Sequence, residues 1–269
     1  MGNNILAGKK GIIFGALNDK SIAWKVAEKV SAEGAKLVLT NTPLSMRLGT
    51  IDQLASQTDS LSIPADATSV SDLTSLIEKS MEHFGGKFDF VLHSVGMSPN
   101  IRKGRKYEDT NYDYFLKTID ISALSFHKTL QVLYSMDALN EWGSVVALTY
   151  IAGDRAVFGY NDMADAKAML QSIARNFGLL YGRKRHVRIN TVSQSPTMTT
   201  AGSGIKGMND MFTYVDNESP LGNASAEDCA GLVTALFSDY TRKVTMQNIY
   251  NDGGFSSMIP IPWSSKTTE

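Results

Sequence analysis

The runs "FDFVLHSV" and "SVVAL" are apolar without a break, and stretches like them recur along the whole chain. A strand with water on one face alternates apolar and polar residues. Continuous runs of this length instead belong to strands covered on both faces, as in a parallel sheet between two helical layers. Such runs read as strands at 11–14, 36–40, 61–63, 88–93, 144–148, 187–192 and 247–251. Between them, apolar residues recur with helical period at 21–33, more weakly at 44–56, and again at 69–84, 109–136, 159–180 and 226–238. Two of these segments open on a capping signature, Ser69 with Asp72 and Ser225 with Asp228.

Strand and helix alternate, which predicts an α/β fold: a single doubly wound Rossmann-type domain over 1–269, with a parallel sheet of about seven strands, helices on both faces and ligands at the carboxyl ends of the strands. One large domain accommodates 269 residues, and no repeat or linker composition divides them. The alternation breaks once, at 193–222, a stretch rich in Ser, Thr, Gly and Met. A connection that long inside a compact domain is usually a lid or binding loop, with a plain surface excursion as the alternative.

Lys+Arg 26 against Asp+Glu 27 gives a net charge of −1, so no global field recruits nucleic acid or an anionic membrane. A single cysteine, Cys229, excludes an internal disulfide and a cysteine-based metal cluster, and fits a reducing compartment. The opening "MGNNILAGKKGIIFGA" lacks a signal-peptide layout and no apolar stretch reaches about 18 residues, so the expected location is the cytoplasm.

The strand "GIIFG" ends at Gly15, and the glycine fingerprint G-x-G-x-x-G does not follow. In "GALNDKSIAWKV" Gly15 allows a tight turn, and Ser21 and Ile22 start a helix whose positive end suits a pyrophosphate. An ordinary β-to-α turn competes with that reading. After the third strand, "ADA" presents Asp66 and Ala67; the carboxylate can bond an adenine amino group or merely brace a helix start. After the fourth, "HSVGMSPN" breaks the strand at Ser94, Val95 and Gly96, where backbone can approach a ligand closely.

Taken together, Gly15-x5-Ser21-Ile22-Ala23, "HSVG", Tyr150, Tyr160-x6-Lys167 and "SQSPTMTTAGSGI" resemble the bacterial enoyl-acyl-carrier-protein reductases, a divergent branch of the short-chain dehydrogenases. The similarity runs over residues 8–255. Tyr-x6-Lys is its specific element, since most short-chain dehydrogenases carry Tyr-x3-Lys. On a continuous helix the pair projects from one face, about 10 Å apart along the axis.

The resemblance implies reduction of a trans-2-enoyl thioester in fatty acid elongation, with a nicotinamide hydride adding to the β-carbon. Tyr160 is similar to the residue that stabilises the thioester enolate, Lys167 to the one that holds the nicotinamide ribose, and Tyr150 to a second tyrosine that shapes the pocket. Implied cofactor contacts are Gly15, Ser21, Ile22, Thr42, Asp66, Ala67, Ser94, Val95, Gly96, Lys167, Pro196, Thr197 and Thr199. Implied substrate contacts are Met97, Ser98, Tyr150, Tyr160 and Met163. Met198, Met208 and Met211 also fall in or beside the closing loops, and flexible methionines suit an acyl chain of variable length.

The chain departs from the family pattern at Thr149, where serine is common, and at Ser195 and Thr197 around Pro196. In "LTNTPLSMR", Thr42 occupies the position facing the adenosine ribose, and no Arg-Lys pair follows to clamp a 2′-phosphate. NADH is therefore favoured over NADPH, with Arg47 the one candidate to the contrary. The implied partner is an acyl-carrier protein bearing an enoyl chain, and the basic run "GRKRHVR" at 182–188 either complements a helix end or docks that acidic carrier. Apolar residues on more than one face of 109–136 and 159–180 agree with the homotetramer the resemblance implies. Two other functions compete: a short-chain dehydrogenase acting on a ketone or alcohol, and a catalytically silent dinucleotide-binding protein.

Overall fold

The computed structural model describes residues 2–199 and 208–259. Strand β1 (Lys10–Phe14) leads through α1 (Ile22–Ala32) into β2 (Lys36–Thr40); two short helices, α2 (Pro43–Leu48) and α3 (Ile51–Gln57), precede β3 (Leu61–Ser62). Then come α4 (Val70–Phe84), β4 (Phe88–His93), α5 (Pro99–Arg102) and α6 (Tyr112–Ile119). A turn of π-helix, Asp120–Leu124, joins α6 to α7 (Ser125–Ser135). Strand β5 (Leu139–Thr149), α8 (Asp162–Arg185), β6 (Arg188–Gln194), α9 (Met208–Glu218), α10 (Ala226–Phe237) and β7 (Asn248–Asn251) complete the order.

The seven strands form one parallel sheet in the order β3-β2-β1-β4-β5-β6-β7. Alternate residues of each strand feed opposite cores. On β1, Ile12 and Phe14 pack with Leu76, Phe126 and Leu170, from α4, α7 and α8. Ile13 packs on the other face with Trp24, Leu54 and Phe237, from α1, α3 and α10. Burying either face of a strand this way is worth about 1.5–3 kcal/mol per large apolar side chain, which is why the strands read as unbroken apolar runs. Strand order reverses between β1 and β4, so the connections leaving their carboxyl ends diverge and open a crevice there.

Several expected boundaries are corrected. The helix expected at 44–56 is two helices broken at Gly49, where a Cβ would lie 2.4 Å from the Leu17 carbonyl oxygen. The helix expected at 109–136 is α6, the π-turn and α7. Its serines distort it: the Ser122 hydroxyl lies 3.0 Å from the Met97 amide and 3.1 Å from its carbonyl, and the Ser125 hydroxyl donates back to the Ile121 carbonyl at 2.6 Å. Tyr160 precedes α8 instead of riding on it, because Asn161 adopts φ 45° at the N-cap.

The stretch 193–222 is not loop throughout: Ser193 and Gln194 finish β6, and α9 fills 208–218. Residues 200–207, which include Ile205, lie outside the described residues. Ser225 and Asp228 form a reciprocal capping box. Asp72 does not close one, since its carboxylate takes the Ser69 hydroxyl and the Asp66 amide. Among the described residues, no helix is long and apolar enough to cross a membrane.

Candidate active site

A cleft of about 220 Å³ opens at the carboxyl ends of β4, β5 and β6. It brings together Ile22, Ser94 to Ser98, Tyr150, Tyr160, Met163, Lys167, Pro196, Thr197 and Thr199, which the sequence singles out. Ile101, Arg102, Leu148, Thr149, Gln194 and Ser195 line it as well. Ile101 and Arg102 carry no motif; only the Ser98-Pro99 helix start hints that the chain turns back over the site there.

Gly15, Ser21, Thr42, Asp66 and Ala67 lie outside this cleft, and most of their polar groups are occupied with local work. At Gly15, φ is 95° and a Cβ would sit 2.0 Å from the Ser94 carbonyl oxygen, so the first turn runs hard against the end of β4. The Ser21 hydroxyl accepts from the amides of Leu17 (3.1 Å) and Asn18 (3.2 Å), which folds the turn ahead of α1. Thr42 caps α2, accepting from the Ser45 amide at 3.2 Å and donating to the Ser45 hydroxyl at 2.9 Å. One carboxylate oxygen of Asp66 accepts from the amide and hydroxyl of Thr68 (2.9 and 2.8 Å), the bracing role weighed against adenine recognition.

The rings of the two tyrosines are in contact. Their ring centroids are 4.8 Å apart, with planes tilted by 44°. Tyr150, carried at the end of β5, donates to the Met211 sulfur at 3.0 Å, so α9 covers that side of the cleft. Tyr160 has no hydrogen-bond partner for its hydroxyl among the described residues. Burial raises the pKa of both phenols, helped by Asp252 at Tyr150 and by Tyr150 itself at Tyr160, so both stay protonated donors.

Lys167 is 7% exposed and donates to the Leu148 carbonyl at 2.9 Å. Desolvation pushes its ammonium down to about 8. It stands beside the break in β4: a Cβ on Gly96 would be 3.7 Å from the Lys167 Nζ and 3.4 Å from the Met163 methyl. The backbone at Gly96 is open beside these two side chains, while the turn at Gly15 closes against the end of β4.

His93, at the end of β4, is fully buried. Its Nε2 lies 3.0 Å from the Ser125 hydroxyl, whose own hydrogen goes to the Ile121 carbonyl. Nε2 is therefore the protonated nitrogen, and Nδ1 has no partner among the described residues. Burial, then the charge of Lys167, pushes its pKa down to about 3, so it is a neutral part of the β4 end.

The basic run 182–188 lies at the other end of α8 from Tyr160, about 30 Å away along the helix axis. Arg185 pairs with Asp137, Lys184 sits over the Tyr134 ring, and buried Arg188 holds the Leu236, Ser238 and Thr241 carbonyls at the end of α10. These basic groups complement helix ends, far from the cleft.

The family model described as "Enoyl-(Acyl carrier protein) reductase" matches residues 15–256. The Rhizobium meliloti enoyl-[acyl-carrier-protein] reductase [NADH] 2 is 33% identical over 94% of this chain and 94% of its own length. Among solved structures, the FabI–NADH complex of Alistipes finegoldii superposes with a TM-score of 0.96 at 66% identity, covering 99% of this chain and 94% of that one. An enoyl-(acyl-carrier-protein) reductase of Anaplasma phagocytophilum in complex with NAD gives 0.87 at 30% identity, covering 94% and 96%. A seven-stranded parallel sheet with paired tyrosines and a buried lysine at its carboxyl edge, matched along nearly the whole chain, places the protein in the enoyl-(acyl carrier protein) reductase family.

Proposed function

We propose that the protein reduces the carbon–carbon double bond of trans-2-enoyl thioesters carried on acyl-carrier protein, with NADH as reductant. The observation that carries this reading is the pairing of Tyr150 and Tyr160, both held protonated, with Lys167 lining the same cleft. The crevice at the carboxyl ends of β1 and β4 fits a dinucleotide, because Gly96 leaves backbone open beside Lys167 there and the turn at Gly15, with no room for a Cβ against Ser94, keeps the first connection close to β4. Ile22, Ser94, Val95, Pro196, Thr197 and Thr199 complete its walls, with Ser21, Asp66 and Ala67 shaping the adenosine side. When bound, NADH supplies the hydride that adds to the β-carbon of the enoyl group.

Tyr160 donates a hydrogen bond to the thioester oxygen as negative charge collects there, and its raised pKa keeps the proton in place when that oxygen needs it. Lys167 holds the ribose hydroxyls and places positive charge beside the site. Tyr150, Met163, Met97 and Ser98 bound the acyl pocket, and α9 covers it through Met211. The preference for NADH rests on the absence of a basic clamp: Thr42 is committed to capping α2, and Arg47 is a solvent-exposed residue on that helix.

Oxidation of an alcohol needs a phenolate as base, and burial disfavours that form of Tyr160, which weighs against an alcohol dehydrogenase. The active form is a cytoplasmic homotetramer. The exposed Tyr112 and Leu116 of α6, with Met169, Leu179 and Leu180 of α8, supply the apolar faces it needs. The test is to follow NADH absorbance with purified protein and either crotonyl or acetoacetyl thioester. Oxidation with crotonyl thioester alone is expected; oxidation with acetoacetyl thioester alone, or with neither, overturns the reading.

A further inference from the structure

Asp162, the first residue of α8, is completely buried, and no cation pairs with it among the described residues. Three neutral groups converge on its two oxygens: the Ser98 hydroxyl on Oδ1 at 2.7 Å, and the Asn100 side-chain amide (2.8 Å) and the Thr118 hydroxyl (2.7 Å) on Oδ2, the Thr118 hydrogen being shared with the Tyr114 carbonyl at 2.9 Å. These donors come from three places, the loop leaving β4, α5 and α6. A carboxylate buried without a cation is costly, and it persists where several hydrogen bonds satisfy it; the positive end of α8 adds to them.

Each donor passes the constraint on. With its hydrogen committed to Asp162, the Ser98 oxygen accepts the Ile101 amide at 3.1 Å and so caps α5, whose Ile101 and Arg102 line the cleft. With its Nδ2 on Asp162, Asn100 accepts the Asn111 amide on Oδ1 at 3.1 Å, and Asn111 in turn caps α6. The next residue along from Tyr160 makes a second tie, with the Asn161 side-chain Nδ2 donating to the Arg105 carbonyl at 2.6 Å. The cleft wall at 98–111 is thus fastened to the start of the helix that follows Tyr160 and carries Lys167.

We propose that Asp162 is a positioning residue for the reaction: it fixes the substrate-side wall at 98–111 against the Tyr160–Lys167 segment, and its charge sets the direction of all three donor bonds. Three hydrogen-bonding groups cover its oxygens and it has no exposed surface, so it handles no reacting proton. Asparagine would turn an NH₂ group towards donors and break the arrangement at nearly constant volume.

Two measurements on full-length Asp162→Asn and Asp162→Ala test this, beside Ser98→Ala and Thr118→Val, which each delete one donor and spare the fold. The first is hydrogen exchange, which needs no turnover and so stands even if the enoyl reductase reading fails. Amides of 98–111 are expected to exchange at least about tenfold faster in both Asp162 variants, with β1 and the second half of α8 unchanged; a charge-assisted bond network of this kind is worth at least that factor. The second is kinetic. The KM for crotonyl thioester is expected to rise about tenfold in the Asp162 variants, and less in the single-donor variants, while NADH affinity stays within about twofold. Ser98→Ala should add nothing further in the Asp162→Ala background. Wild-type exchange at 98–111 in Asp162→Asn would overturn the proposal, as would an equal decline of folded fraction, kcat and NADH affinity without a change in KM.

Discussion

Burial acts in opposite directions on Tyr160 and Lys167, to which the proposed reaction gives different roles. A buried phenol keeps its proton more tightly, which suits a hydrogen-bond donor to a developing oxyanion. Tyr160→Phe is therefore expected to lower turnover of an enoyl thioester by about 10²-fold or more while NADH binding is retained. Steady-state rates beside a fluorescence titration of NADH decide this, and unchanged turnover would remove Tyr160 from the reaction. A buried ammonium behaves in the opposite way, releasing its proton near pH 8 in the folded protein and near 10.5 in the unfolded chain. Between those values the unfolded chain binds more protons, so this group's contribution to stability rises with pH and is least favourable below 8. The stability of the wild type relative to Lys167→Met should then increase by up to about 3 kcal/mol from pH 8 to 10.5. Urea unfolding of both proteins across that range measures it; a flat difference would mean that Lys167 is not desolvated. The sequence singles out this pair through its place in the family resemblance, but not Asp162, whose three partners lie 44 to 64 positions away along the chain.

Among the elements, the β1–α1 turn is the one whose geometry the sequence states most directly. Gly15 ends an apolar strand and is followed by a helix start, and the structure gives it a positive φ with no room for a side chain. Gly15→Ala should weaken NADH binding at least about tenfold and destabilise the protein by roughly 1–3 kcal/mol, since both the backbone conformation and the contact with Ser94 are lost. Calorimetric titration and thermal unfolding would show it, and wild-type values for both would mean that the turn tolerates a side chain. The segment from α6 to α7 was legible only in part. Its apolar period announces a helix, but the π-turn arises where Ser122 bonds a loop from β4, a partner that local periodicity does not contain. The break between α2 and α3 has the same origin, in the approach of Gly49 to Leu17.

At the scale of the whole molecule, α6 and α8 leave Tyr112, Leu116, Met169, Leu179 and Leu180 exposed, although both helices also pack inward. Such exposed apolar residues are expected to be covered by further copies of the chain. Light scattering should return a tetramer at micromolar concentration, and Leu116→Glu should shift it towards smaller species. A wild-type monomer would contradict the assembly.

Local chemistry alone determined the parallel sheet, its two-sided burial, the glycine turn and the spacing of Tyr160 and Lys167, because each depends on residues a few positions apart or on the period of an apolar pattern. Tertiary structure decided what depends on residues distant in sequence. It set Tyr160 off the helix through the backbone of Asn161, and placed the basic run 182–188 at the opposite end of α8 from Tyr160, with Arg188 bonded to the end of α10. It also gathered Ser98, Asn100 and Thr118 around the carboxylate of Asp162. Hydrogen bonds act over about 3 Å, so which groups share them is settled only when the chain has packed.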